Sequence, residues 1–230
     1  MKKKWVILSI AVLALLLASL AVLMIVRANA PKKVWYADSV DYVIERGLME
    51  GDGVRGFNPA GRLTRERLAV VLWRLCGQPA PPDPEEIFFD FDPGKPSSWA
   101  KDAIYWALGY YIVMPIMVEF NPNLPPGGIM WYFDGQSTAT REQFVEALFR
   151  FARYSGVASS KRTEFDFLEE NVWDSWAVEA IQWCAEEGLL EIYSEGDTLL
   201  PSPQKRVTRA EVAVIIARFC EIYDAAAAQP

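Results

Sequence analysis

No histidine occurs among the 230 residues. Its absence removes every Ser-His-Asp or Cys-His catalytic arrangement and every imidazole metal ligand. Cysteine is scarce: Cys76, Cys184 and Cys220 make no disulfide framework, which an extracytoplasmic domain of this size does not need. Cys76 and Cys220 stand at matching positions, each 12 residues after a Thr-Arg pair, where the middle segment has Ala152, and they read as small apolar core residues rather than a bridge. Basic charge is also thin. Of 23 Lys and Arg, Lys2, Lys3, Lys4 and Arg27 fall in the first 30 residues, leaving 19 basic against 30 acidic side chains in the remainder. A duplex nucleic acid is repelled by such a surface and is not expected as a partner. Carboxylate catalysis stays open in principle. Neighbouring acids such as Glu169 and Glu170, or Glu186 and Glu187, diverge on consecutive helix positions and read as a solvated face. The chain reads as no enzyme, with no cofactor and no metal.

Residues 1–30 form a leader outside the globular fold. Three lysines precede Trp5 to Val26, a charge-free run of 22 residues. At ~1.5 Å per residue it is long enough to span the cytoplasmic membrane, and the lysines hold its start inside. Ala28-Asn29-Ala30 resembles a signal-peptidase site, while the length of the run and Pro31 favour a retained anchor. Both outcomes stay open, and in both the chain from residue 31 is exported, to the cell wall or the outer face of the cytoplasmic membrane.

What the exported part does have is an internal repeat. Thr64-Arg65-Glu66-Arg67, Thr140-Arg141-Glu142-Gln143 and Thr208-Arg209-Ala210-Glu211 each head an apolar helical pattern, and Trp35, Trp99 and Trp176 precede the three threonines by 29, 41 and 32 residues. Each copy is a helix, a loop of variable length and a second helix. The first helices carry Val40 and Val43, then Ala103, Ile104 and Ala107, then Ala177, Ala180, Ile181 and Cys184 on one face, with Ser98 and Ser175 as candidate caps. Gly47 and Gly188 stop the first and third; Tyr111 stands in the equivalent place of the second, which runs on or ends differently before Pro115.

The loops hold Phe57-Asn58-Pro59, Phe120-Asn121-Pro122 and the weaker Leu200-Pro201, and an aromatic, Gly-Pro-rich insertion at 123–135 reads either as a surface flap that touches ligand or, the favoured reading, as packing over a neighbouring copy. Each second helix starts with its threonine as N-cap; Thr140 with Gln143 and Thr208 with Glu211 complete a capping box, which Thr64 with Arg67 cannot. Leu68, Val71, Leu72 and Leu75, then Phe144, Ala147, Leu148 and Phe151, then Val212, Ile215, Ile216 and Phe219 form the apolar faces. Two amphipathic helices cannot hide their faces alone, so the copies pack together.

Arg65, Arg141 and Arg209 each put a cation in the first turn of a helix, against its dipole, at ~0.3–1 kcal/mol when exposed. Three matched violations of one local rule point to a second task. An arginine beside free helix-start amides is a receptor for a carboxylate or phosphate; the competing reading pairs each arginine with an acidic side chain of its own chain.

Order, spacing and triple copy resemble the S-layer homology domain, with its opening Phe-x-Asp, Trp-Ala on a first helix, a Gly-ended helix, a Phe-x-Pro turn and Thr-Arg-Ala-Glu on a second helix. The resemblance covers approximately residues 34–224, with copies at 31–79, 86–156 and 163–224 and a tail at 225–230. It implies a mostly α, pseudo-threefold fold around a central helical bundle. It also implies non-catalytic binding of an anionic, often pyruvylated, secondary cell-wall polysaccharide in grooves between copies. Arg65, Arg141 and Arg209 would then meet the sugar, with Thr64, Thr140 and Thr208 shaping the helix starts. Trp35, Trp99 and Trp176 match the family tryptophan, which either stacks on sugar or, as an apolar helix residue more often does, enters the core; core is the favoured place. Only the third copy spells Thr-Arg-Ala-Glu; Phe89-Asp90 and Phe165-Asp166 supply remnants of the opening motif and the first copy has none. The alternative function is a membrane-anchored envelope scaffold for a protein partner, with purely structural repeats.

Overall fold

The computed structural model describes residues 34–51, 56–83, 91–92, 96–115, 117–120, 129–158, 176–190 and 202–228, with Leu17, Ser19, Leu20 and Met24 before them. The leader otherwise lies outside the described residues, as do Ser175, Phe89-Asp90, Phe165-Asp166, Leu200-Pro201, Glu169 and Glu170. Two compact units divide the chain, Met1–Val34 and Trp35–Pro230. Among the described residues no helix is long and apolar enough to cross a membrane.

The second unit is mostly helical. Its first helices are α1 (Ala37–Glu45), α3 (Lys101–Gly109, entered through a 3-10 turn at Ser98–Ala100) and α5 (Val178–Glu186). Its second helices are α2 (Arg65–Leu75), α4 (Arg141–Tyr154) and α6 (Arg209–Ala227), the last continuing through the first residues of the expected tail. A small sheet, not foreseen from the sequence, has the order β1-β3-β2, with β1 (Phe91–Asp92) parallel and β2 (Met117–Phe120) antiparallel to β3 (Ile129–Tyr132). It belongs to the second copy, where the long loop has room for a hairpin.

The three predicted apolar faces are all buried, and α6 is buried on more than one side, through Val212, Ala213, Val214, Ile215 and Ile216. Cys184 and Cys220 lie in this core and Cys76 at its margin, all three as free thiols. Helix pairing runs between copies. The main partners are α3 with α2, α5 with α4, and α1 with α6, so each first helix packs on the second helix of the copy before it, and the first copy on the third.

The helix starts explain this exchange. Thr64, Thr140 and Thr208 cap as expected, accepting from the N–H of Arg67, Gln143 and Glu211 at 3.4, 3.2 and 3.2 Å, and the boxes of α4 and α6 are closed by Gln143 and Glu211. The two N–H groups ahead of these go to the next copy. Arg65 and Glu66 donate to Ser137 and Gly135, Arg141 and Glu142 to Lys205 and Pro203, and Arg209 and Ala210 to Gly61 and Pro59. Just before the caps, Ala139 N–H donates to Leu63, Val207 to Ala139 and Leu63 to Val207, at 2.9, 3.0 and 3.2 Å, closing a ring of three backbone bonds. The helix-start amides are therefore committed within the protein, and the premise of an anion site built on free ones is corrected.

All three arginines are 4% exposed. Arg141 meets Glu211 at 2.5 Å, the internal acidic partner of the competing reading. Arg65 and Arg209 meet backbone instead: Arg65 donates to the Met114 carbonyl and lies 4.7 Å over the Phe133 ring, while Arg209 donates to the Glu50 and Phe57 carbonyls and lies 4.6 Å over the Phe57 ring. Burial pushes the Arg65 guanidinium down to about 10, which leaves it charged at neutral pH. Phe133, seven residues before Thr140, thus takes the place that Phe57 takes before Thr64. The expected occupant was Phe120-Asn121-Pro122, of which Asn121 and Pro122 lie outside the described residues. The next helix residue follows the same cycle: Gln136 donates to Glu66 at 2.9 Å, Gln204 donates to Glu142 at 2.5 Å, and the third copy has Ala210, facing the loop of Ala60.

The end of α3 is resolved too. Tyr111 has φ 56°, matching Gly47 at 67° and Gly188 at 68°. Leu48, Ile112 and Leu189 then donate back to Val43, Ala107 and Cys184 at 2.9, 2.7 and 2.8 Å, so the second copy makes the same left-handed stop with a residue that fits it poorly.

Tyr111→Gly relieves the left-handed strain and is expected to raise stability by about 1 kcal/mol, seen as a melting temperature ~2–4 °C higher; an unchanged or lower value contradicts the strain. Glu211→Gln keeps an acceptor for the Thr208 N–H, as Gln143 does for Thr140, but leaves Arg141 buried without its anion, at a cost of roughly 3 kcal/mol in urea unfolding. Burial alone would raise the Glu211 carboxyl, but the Thr208 N–H and Arg141 together hold it below the usual range. Its contribution is therefore complete above the unfolded value near ~4.3 and is lost as pH falls through the lower folded value. In Glu211→Gln that acid-limb dependence should flatten.

Candidate functional sites between copies

Two grooves occupy equivalent places, each bounded by the second helix of one copy and the opening tryptophan of the next. The first, of about 170 Å³, is lined by Arg67 and Arg74 of α2, Glu50 and Gly51 beyond α1, Arg209 in the floor and Trp99 of the second copy. Arg74 and Glu50 are paired at 2.6 Å, leaving the groove an excess of guanidinium over carboxylate in a chain that is acidic overall.

The second groove, of about 530 Å³, runs along α4 toward Trp176 of the third copy. Tyr110 and Tyr111 enter from the end of α3, Tyr154 from the end of α4. Its charges are Arg150 and Arg153 against Glu146 and Glu179. Arg150 meets Glu146 at 2.5 Å. Burial raises the Glu146 carboxyl, with Arg150 working against that shift.

The expected site residues separate into two groups. Thr64, Thr140, Thr208, Arg65 and Arg141 belong to the interlock between copies, and Arg209 belongs to it while also lining the first groove. Trp35, Trp99 and Trp176 are 38, 53 and 46% exposed, which corrects the expectation of core positions. They precede the regular helices rather than lying on their apolar faces; small residues behind them, such as Ala100 and Ala177, are buried in their stead.

Sequence reasoning passed over Arg67, Arg74 and Arg150. The signal was present: Arg74, Arg150 and Arg218 each stand 10 residues after the threonine of their copy. Arg150 and Arg218 reach the carbonyls of Tyr111 and Gly188, both at 3.4 Å. Arg67 occupies the place that the other copies give to the capping Gln143 or Glu211, so the broken capping box of the first copy supplies a groove cation.

The S-layer homology domain model matches residues 31–66 and 170–213, the stretches that hold the first and third Thr-Arg pairs. The S-layer protein sap of Bacillus anthracis is 26% identical over 190 residues, which is 83% of this chain and 20% of that protein. An S-layer protein of Bacillus thuringiensis subsp. finitimus is 26% identical over 191 residues, again 83% of this chain and 21% of the relative. The chain thus spans about a fifth of the length of these relatives. In those two stretches, and in the repeated caps, helix ends and tryptophans at matched places, the chain is similar to the S-layer homology domain family.

Proposed function

We propose that the chain is a non-catalytic wall-binding module that holds an anionic secondary cell-wall polysaccharide, with pyruvyl ketals as the acidic groups, in the grooves between its copies. The observation that carries this reading is the first groove. Arg67 and Arg74 converge there beside the exposed Trp99, above the buried Arg209, whose donors serve the Glu50 and Phe57 carbonyls; Glu50 is the one carboxylate that the lining brings, and forked guanidinium donors suit a sugar carboxylate. The cyclic pairing of helices supports a pseudo-threefold arrangement of three copies about α2, α4 and α6, which would repeat such a groove around the module. The apolar run of residues 5–26 supports export and, where retained, a tether close to the membrane surface.

Arg65 and Arg141 act in this reading as the frame of the grooves, since their guanidinium groups are buried against protein acceptors. A test by substitution therefore belongs at Arg67 and Arg74, which are half-buried and whose loss leaves the interlock intact. The chain incubated with wall sacculi is expected to sediment with them, and to stay in solution once the secondary polymer has been extracted. Arg67→Ala with Arg74→Ala should weaken sedimentation about tenfold or more with unchanged melting temperature, as expected for losing one to two charged hydrogen bonds. Equal sedimentation with intact and extracted sacculi would leave the protein-scaffold function in its place.

A further inference from the structure

The two grooves differ in a way that selects different parts of a polymer. The first brings the half-buried Arg67 and Arg74, the buried Arg209 beneath them, one carboxylate and one exposed indole. The second brings two cations and two carboxylates, and its aromatic residues Tyr110, Tyr111, Tyr154 and Trp176 are 43, 56, 40 and 46% exposed. Its charges are turned on the protein itself: Arg150 on Glu146 and on the Tyr111 carbonyl, and Arg153 over the Phe149 ring at 5.8 Å. A net anion gains little there. An uncharged ring with apolar C–H faces and hydroxyl edges gains an aromatic floor and several phenol hydroxyls.

The floor is held in place. Tyr110 and Tyr154 approach at 4.9 Å, and both lean on the fully buried Trp106, at 6.4 and 5.7 Å. Tyr111 adds an independent sign. Where Gly47 and Gly188 make the same left-handed turn without strain, this copy holds a tyrosine at φ 56° whose side chain is mostly in solvent and lines the groove. A strained residue that contributes nothing to the core stays in place when its side chain has another task.

We infer that the groove between the second and third copies recognises an uncharged sugar residue of the wall polymer by stacking, while the groove between the first and second takes an acidic one. This rests on the wall-binding function proposed above. In it, Trp176 and Tyr111 contact the neutral ring, Tyr110 and Tyr154 form the floor, and Trp99 with Arg67 and Arg74 contacts the acidic ring.

The test follows the indole N–H resonances of Trp99 and Trp176, assigned by Trp99→Phe and Trp176→Phe, as the full chain is titrated with oligosaccharides of the extracted secondary polymer. One portion is used as isolated and the other after its carboxylates are reduced to alcohols. The reduced oligosaccharide should shift Trp176 and leave Trp99 in place, with affinity at Trp176 nearly constant as salt rises from about 0.05 to 0.5 M. The native oligosaccharide should also shift Trp99, in a salt-sensitive way. Tyr111→Gly should weaken the Trp176 response about fivefold while the protein becomes more thermally stable. The inference is overturned if the reduced oligosaccharide shifts Trp99 or leaves Trp176 unmoved, or if Tyr111→Gly binds it as well as the parent. Native oligosaccharide moving Trp99 alone would overturn the division of labour and leave wall binding standing; silence at both tryptophans would overturn both.

Discussion

Three helices begin close together in the interior, and a buried helix start is tolerable only when each of its leading N–H groups has an acceptor. That constraint orders the rest of the molecule. The capping threonine serves one donor and the helix's own geometry serves the next, so two per helix remain, and all six find carbonyls in the loop of another copy. A single copy cannot complete its own second helix. The same dependence appears in the packing, where each first helix lies on a neighbour's second helix. It also accounts for the uniform seven-residue approach from Phe57 to Thr64 and from Phe133 to Thr140, beside loops that vary freely farther away.

The arginines follow from this arrangement. A cation at the first helical position works against the dipole, yet the stop of each first helix leaves carbonyls just beyond it. Arg65 and Arg209 reach the third residue after their neighbours' turns, Met114 after Tyr111 and Glu50 after Gly47. Charge-assisted bonds and a phenyl face at under 5 Å offset a dipole cost of ~0.3–1 kcal/mol. At Arg141 a carboxylate supplies the acceptor, and Glu211 serves twice, on Arg141 and on its own cap. One residue farther along, Glu66 with Gln136 and Glu142 with Gln204 are matched pairs, and where the third copy has Ala210 the facing loop has Ala60. The chain carries the record of its own contacts, since a polar residue occurs on one side of an interface where it occurs on the other.

Much of the fold was legible for a physical reason: caps, apolar faces and glycine stops are local, and local rules act through neighbours in sequence. Thr140 with Gln143 and Thr208 with Glu211 needed only a spacing of three. The misplaced features depend on contacts between distant segments. Trp35, Trp99 and Trp176 looked like core because tryptophan beside a helix usually is, but their position before the regular turn directs them outward. Tyr111 looked like a failed stop, because sequence alone does not show that the following Ile112 and Val113 bond back to Ala107 and force the turn. Phe133 was hidden inside an apparent insertion, since the register of its loop is counted backward from the threonine and not forward from the first helix. The helix-start amides were unreadable on the same ground: whether an amide is free is a tertiary fact, and these are taken by a neighbouring copy.

Apart from Leu63 and Arg209, which serve both, the lock and the groove linings use different positions, and this separation lets the copies diverge. The lock occupies the cap and the next two residues. The grooves draw on the third residue, where Arg67 lies, and on the tenth, where Arg74 and Arg150 lie. A substitution at a groove position leaves the ring of Leu63, Ala139 and Val207 untouched and costs the fold little. A substitution at the lock removes an acceptor from a neighbouring copy and acts on two copies at once. The grooves are where sequence is free to change, and there the first and second copies already differ in charge, size and aromatic content.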